Sequence, residues 1–532
     1  MDPVYSSKPR WNDIRPVRDN TTGILNHTMK PIWGKIKKLV NSGGMKGKIV
    51  RGGGALALGS LTENALRFVR NIILVRILAP EAFGIMAILM VSVQALEAFT
   101  EVGLRQSLIQ NKNGSQPDFM NITWFLSLAR GLMLYSIAFV AAPFIADFYN
   151  KTELTAFLRV GFLVIFLHGF MSPRIYVLEK ELRFKEWTIL IQGSAIIGIM
   201  VTVACAFVFK NVWALLAGFI CEAALKVLFS FILYPIKPNL QFDKTYLRDI
   251  TKFSRGMFGL PIIKMLYYQI GIFVIGKVTS IDHLGIYTMT GNLAQVAGFA
   301  ITKIIEPILF PVLASIKHNK ADFSKVFNKT IKTIAIFAFP FTAMLSIFAH
   351  PILHLVYGPK YSEFWIVFSI LSFYSLLALF FSLLSQVFFA IGQPERHRTA
   401  SLVRTVLFIL MIYPAAKYFG LTGAALAVSI STGTALIIQI INIRKVMHFS
   451  LTEFMKSAFT GFMISLIVII PGMIFIMLIK DFIILKVCIA ALLCLIAWYF
   501  SFRNLGMLRH NIPVLNKINK AINKTKFYRP NK

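Results

Sequence analysis

The stretch Arg76-Ile-Leu-Ala-Pro-Glu-Ala-Phe-Gly84-Ile85, running on to Gln94, is echoed by Lys277-Val-Thr-Ser-Ile-Asp-His-Leu-Gly285-Ile286, running on to Gln295. Basic, acidic, aromatic or aliphatic, glycine and glutamine positions coincide, a self-similarity that composition alone does not readily produce. A second pair, Pro143-Phe-Ile-Ala-Asp-Phe-Tyr-Asn150 and Pro351-Ile-Leu-His-Leu-Val-Tyr-Gly358, recurs at nearly the same offset. Both repeats fall in connections between apolar runs, on the same side in each half. The pattern therefore predicts a parallel duplication of six helices per half. Such two-lobed architecture is common in transporters, with the substrate path between the lobes, although duplication also builds passive channels.

The remaining sequence has the composition this duplication needs. Of 532 residues, 56% are hydrophobic and 15% charged, with a mean hydropathy of +0.68. Soluble domains carry about 25% charged residues, so an ordinary soluble enzyme is excluded. From Gly53 onward, apolar runs of about twenty residues, each able to cross roughly 30 Å of hydrocarbon as a helix, recur about fourteen times. They cover 53–75, 84–108, 119–142, 156–177, 187–209, 212–233, 254–276, 284–312, 331–350, 363–391, 400–418, 421–443, 455–479 and 482–502. The predicted fold class is an all-α integral membrane protein. Its six-helix lobes cover 53–235 and 236–443, two extra helices lie within 444–502, and basic tails occupy 1–52 and 503–532.

Charge sets the orientation. The formal net charge is +33. Lys and Arg collect after even-numbered spans, as in Arg174, Lys180, Arg183 and Lys185, or Lys317, Lys320, Lys325 and Lys329, whereas odd-numbered connections hold little beyond residues such as Lys151, Lys210 and Lys360. The positive-inside rule then places both termini in the cytoplasm, and topology accounts for the charge with no nucleic-acid partner. The amino-terminal tail lacks the apolar core of a secretory signal. Within it Ile32, Trp33, Ile36, Leu39 and Val40 share a helical face opposite Lys35, Lys37 and Lys38, suited to an anionic lipid surface, the alternative being a solvated tail.

The spans also carry charge, which costs on the order of 2.5–3.5 kcal/mol per residue near the bilayer centre and so must face protein or water. Span one stacks Glu63, Arg67 and Arg70 on one face, and span two repeats the device with Gln94, Glu97, Glu101 and Arg105. Opposite signs at this spacing suit either an interhelical ion-pair lock or a binding surface. Span seven contributes Lys264, Tyr267, Tyr268 and Gln269, and span eight a stripe of Asn292, Gln295, Phe299, Lys303 and Glu306. Arg130, Arg159 and Arg404 are further candidates, the last two near enough to span ends to snorkel. Cys205, Cys221, Cys488 and Cys494 sit in apolar runs without metal or disulfide spacing. His350 and His354 have metal spacing but no third ligand nearby. No GxxxxGK[ST] loop occurs, so ATP hydrolysis is not expected.

Three motifs carry a family resemblance. Val75-Arg-Ile-Leu-Ala-Pro-Glu-Ala-Phe-Gly84, Gly103-Leu-Arg-Gln-Ser-Leu-Ile109, and His350-Pro-Ile-Leu-His-Leu-Val-Tyr-Gly358 followed by Trp365 closely resemble the polysaccharide exporters of the MOP flippase superfamily, over roughly residues 50–500. The resemblance implies an inner-membrane flippase that carries an undecaprenyl-pyrophosphate-linked oligosaccharide to the periplasmic leaflet by alternating access, with helices one, two, seven and eight lining a central cavity. On that footing Arg67, Arg70, Arg105, Lys264, Gln269, Asn292, Gln295 and Lys303 are the expected substrate contacts. Glu63, Glu97, Glu101 and Glu306 are the ion-pair or coupling candidates. Arginine suits the task because its fork donates two charge-assisted hydrogen bonds to phosphate oxygens.

No cofactor or metal is expected, H+ or Na+ being the candidate coupling ions. The expected partners are the lipid-linked glycan and membrane lipids, with a polysaccharide polymerase and glycosyltransferases as further candidates. The sequence departs from the pattern in its long amino-terminal extension and at Gly271, near where some relatives place an acidic or amide residue. An ion-coupled exporter of drugs or small metabolites on the same fold would favour an acidic cavity. An integral-membrane polymerase or glycosyltransferase would need a large external loop, and every connection here is short.

Overall fold

In a bilayer every backbone N–H and C=O must be satisfied internally, so apolar runs of this length can only be helices or a closed barrel. The computed structural model describes residues 45–99, 104–181, 183–236, 239, 246–247, 260–446, 451–479 and 482–504, and it contains no strand among them. The first half comprises α1 (Met45–Ile77), α2 (Pro80–Phe99), α3 (Leu104–Gln110), α4 (Pro117–Phe148), α5 (Leu154–Gly161), α6 (Leu163–Phe170), α7 (Arg174–Lys180), α8 (Phe184–Phe209) and α9 (Val212–Leu233). The second comprises α10 (Leu260–Val278), α11 (Ile281–Ser315), α12 (Lys320–Ile347), α13 (Ala349–Tyr357), α14 (Pro359–Ser362), α15 (Trp365–Ala390), α16 (Pro394–Val446), α17 (Leu451–Leu478) and α18 (Ile483–Asn504). The basic amino-terminal tail with its Trp33 face, Glu101, and the side chain of Lys264 lie outside the described residues.

Local chemistry starts several helices. The side chains of Asn211, Ser280 and Asn319 accept hydrogen bonds from the backbone N–H of Trp213, His283 and Asp322, capping α9, α11 and α12. Large apolar side chains such as Phe144, Val208, Leu410 and Met477 stand exposed, as a hydrocarbon-facing surface requires, while Leu74, Ile88, Phe162, Phe348 and Phe368 fill the interior.

Among the described residues, nine helices are long and apolar enough to cross a membrane, ten if the bent pair Leu154–Phe170 and Arg174–Lys180 is one span. That is fewer than the fourteen runs of the sequence. Helix α1 falls short because the part of it whose side chains are described, 59–77, carries Glu63, Arg67, Arg70 and Arg76. Two further runs are merged in α16, which continues through Gly420 with φ 56° and ψ −140°. That conformation is open only to glycine. Gly420→Ala, although its Cβ would meet nothing within 4 Å, should therefore cost about 1–3 kcal/mol, seen as a lower melting temperature of the purified protein.

The fourth run, expected as one span over 156–177, is instead broken. The helical pair turns by 62° where Met171-Ser172-Pro173 interrupts it. Proline cannot continue the hydrogen-bond ladder. The break is pinned to α9: Ser172 N–H donates to Ser230 Oγ at 3.1 Å, and Ser172 Oγ to the Tyr234 carbonyl at 2.9 Å. This bend swings α7 across the end of the first half.

The two repeated motifs meet face to face. A Cβ on Gly84 would lie 2.0 Å from the carbonyl oxygen of Ile281, and one on Gly285 would lie 1.9 Å from that of Pro80. Since Gly84 matches Gly285 and Pro80 matches Ile281 in the sequence repeat, the contact is reciprocal, a local two-fold between α2 and α11.

Candidate functional site

The first-half charges form a chain through the helix interior. Arg67 Nε donates to Glu63 at 2.9 Å, and its Nη2 to both carboxylate oxygens of Glu222 on α9 at 2.9 Å. Lys226, one turn on, donates to Glu222 at 2.8 Å. Arg67 therefore joins α1 to α9 through Glu222, which also holds Lys226 on its own helix, with side-chain exposures of 31%, 12% and 19% for Arg67, Glu222 and Lys226. Arg70 donates instead to Asn71 Oδ1, at 2.9 and 3.2 Å.

Beyond this chain the bend at Pro173 opens a cavity of about 420 Å³ within the first half, walled by α2, α3, α4, α6, α7, α8 and α9. Arg105, Arg130, Lys226 and His168 face it with Glu97 as the one carboxylate among the described lining residues, and Tyr176 and Trp187 form an aromatic wall. Arg105 lies over both rings, its guanidinium carbon 5.8 Å from the centroid of Tyr176 and 5.4 Å from that of Trp187. Glu179 fixes that orientation, accepting from Nε at 3.0 Å and Nη2 at 2.6 Å. Arg130 donates to the Glu97 carbonyl at 3.0 Å, and His168 Nδ1 lies 3.0 Å from the Glu97 carboxylate. Cationic forks beside flat aromatic faces suit a ligand with phosphate and sugar parts.

The halves close on each other at the opposite end. Arg76 donates to the Leu355 carbonyl, and its repeat counterpart Lys277 to the Phe148 carbonyl, so each half latches onto the other's second repeated motif. Deeper in the seam, Gln269 of α10 donates to Gln94 of α2. His350 and His354 stack near this end with ring centroids 6.2 Å apart. Among the described residues no three His, Cys, Asp or Glu side chains converge as a metal site.

The expected residues thus divide. Arg105 and Glu97 reach the cavity; Glu63 and Arg67 belong to the ion-pair chain; Gln269 joins the seam. Asn292, Gln295 and Lys303 lie on an exposed stripe of α11, with Lys303 Nζ 5.1 Å from the Phe299 ring centroid. Glu306 accepts from the Ser382 hydroxyl. Sequence reasoning missed Glu222, Lys226, His168, Tyr176 and Trp187. The first two carry the same signal as Glu63 and Arg67, opposite charges four apart inside a span. The last three come together only through the bend.

Many helices with lipid-facing exteriors, an internal cationic cavity, and halves that meet through matched motifs define a multi-pass membrane transport protein. The family model described as "Polysaccharide biosynthesis protein" matches residues 73–366. The chain belongs to this family of polysaccharide flippases of the MOP superfamily. It is 24% identical over 419 residues to an "Uncharacterized membrane protein in cps region" of Klebsiella pneumoniae, covering 77% of this chain and 85% of that one. With the lipopolysaccharide biosynthesis protein WzxC of Escherichia coli (strain K12) it shares 22% identity over 434 residues, 79% of this chain and 86% of the other. The fold resembles the lipid II flippase MurJ in an inward closed conformation, with a TM-score of 0.68 at 15% identity, covering 85% of this chain and 99% of that one.

Proposed function

We propose that this protein flips a polyprenyl-pyrophosphate-linked oligosaccharide across the bacterial inner membrane by alternating access, on a fourteen-span frame of two six-helix lobes and two extra helices. The observation that carries the reading is the cavity in which Arg105, Arg130 and Lys226 stand beside Tyr176 and Trp187. The cations take the pyrophosphate and the rings stack on sugar faces. With both termini cytoplasmic, this cavity opens toward the cytoplasmic leaflet, and the Arg76 and Lys277 latches close the periplasmic side. The polyprenyl chain stays in lipid. Glu97 and Glu306 are the carboxylates available for H+ or Na+ coupling, and a polymerase and glycosyltransferases are the working partners.

Removing both cavity arginines tests this. A charge-assisted hydrogen bond contributes about 1.5–3 kcal/mol, so the R105A, R130A double variant should lose polymer export while lipid-linked repeat units accumulate in the cytoplasmic leaflet. Normal polymer with new drug sensitivity in a deletion strain would favour a drug exporter on the same fold instead.

A further inference from the structure

Arg404 stands ten residues into α16, about 15 Å along the helix at 1.5 Å per residue. Its place in the sequence allowed it to snorkel outward. Instead it is only 9% exposed. Its guanidinium carbon lies 3.7 Å from the ring centroid of Tyr267 on α10 and 4.4 Å from that of Phe381 on α15. Tyr267 is itself buried and tied through its hydroxyl to Thr432 Oγ1 at 3.1 Å, so the platform is fixed.

This charge differs from two of those in the first half. Arg67 and Arg105 are each bonded to carboxylates. Nε of Arg404 is buried without a hydrogen-bond acceptor, and among the described residues no carboxylate pairs with it. Of the two acidic residues of α11, Asp282 lies in its first turn and Glu306 is engaged by Ser382. A buried charge without a partner is strongly unfavourable. Contacts to aromatic rings use the faces of a guanidinium and leave its in-plane N–H groups free, the groups that take two oxygens of a carboxylate or phosphate at once.

We propose that Arg404, seated on Tyr267 and Phe381, is a second oxyanion-binding site, in the half opposite the aromatic cavity. It receives an anionic group of the transported molecule, a sugar carboxylate or a phosphate. The assignment rests on the flippase reading, since it names a further contact for the same substrate. It implies that the two anion sites sit on different halves, so that one bound molecule engages both as the halves move.

Purified full-length protein in phosphatidylcholine nanodiscs, titrated by calorimetry with inorganic pyrophosphate and separately with glucuronate at constant ionic strength, tests it, with glucose as the neutral control. Arg404→Gln should weaken the binding of one probe roughly ten- to a hundredfold, and whichever probe is lost identifies phosphate or carboxylate as the bound group. Arg404→Lys, which keeps the charge without the fork, should fall between. If Arg404→Gln does not accumulate, Tyr267→Leu takes its place with the same expected weakening. A folded variant that binds both probes as wild type does overturns the second site. If it does so while R105A, R130A abolishes binding, the flippase reading stands without it. Wild-type protein that binds neither anion sinks both.

Discussion

Leucine at Gly84 is expected to abolish export and to leave the seam between the halves unable to close. Even a methyl group there would lie 2.0 Å from the Ile281 carbonyl oxygen and 2.7 Å from the Ile281 side chain, and neither backbone can yield without parting α2 from α11. Overpacking of this kind costs about 1–3 kcal/mol where side chains can adjust, and here the obstacle is backbone. Gly285→Leu should behave alike, since its Cβ would meet the Pro80 carbonyl at 1.9 Å. The seam can be read by labelling a Gln94→Cys reporter with a membrane-impermeant maleimide from the Pro80 side. Labelling should be slow in the parent and fast with either leucine. Gly193→Ala, with nothing within 4 Å of its Cβ, is the control. Wild-type export by Gly84→Leu would refute the closure argument.

The second large effect is expected at Glu222. Glu222→Ala leaves Arg67 and Lys226 facing each other inside the bundle without their shared carboxylate. Removing one partner of a buried ion pair costs about 3–5 kcal/mol, whereas replacing the whole set with apolar residues can be neutral. The single variant should therefore show a much lower melting temperature and reduced membrane abundance. The quadruple variant E63L, R67M, E222L, K226M, which removes the whole set including the Glu63 partner of Arg67, should recover most of the stability while remaining defective if these charges also serve transport. A Glu222→Ala protein as stable as the parent would show that the chain of charges does not hold α1 to α9.

Several features were readable before any coordinates. Hydropathy marked where helices run, because a bilayer forces backbone hydrogen bonding into the segment itself. The match between Arg76–Gly84 and Lys277–Gly285 was legible as a repeat, but that the two stretches pack against each other shows only in the structure. The spacing rule that marked Glu63 and Arg67, applied to span six, would have found Glu222 and Lys226.

The cavity was not readable, for a definite reason. Its walls depend on the 62° turn at Met171–Pro173, which hydropathy reads as one uninterrupted apolar run, and on Ser172 being tied to α9. Nor does spacing say whether a cation within a span meets a carboxylate, an aromatic ring or open space. Arg67, Arg105 and Arg404 have similar settings in the linear chain but end on Glu222, on Glu179 with Tyr176 and Trp187, and on Tyr267 with Phe381. Where apolar helices run follows from the solvent preference of each residue and its local period, both properties of the chain alone. The partner of each buried charge is set by which helices are brought within about 3 Å of it, the reach of a hydrogen bond, and that distance exists only once the bundle has packed.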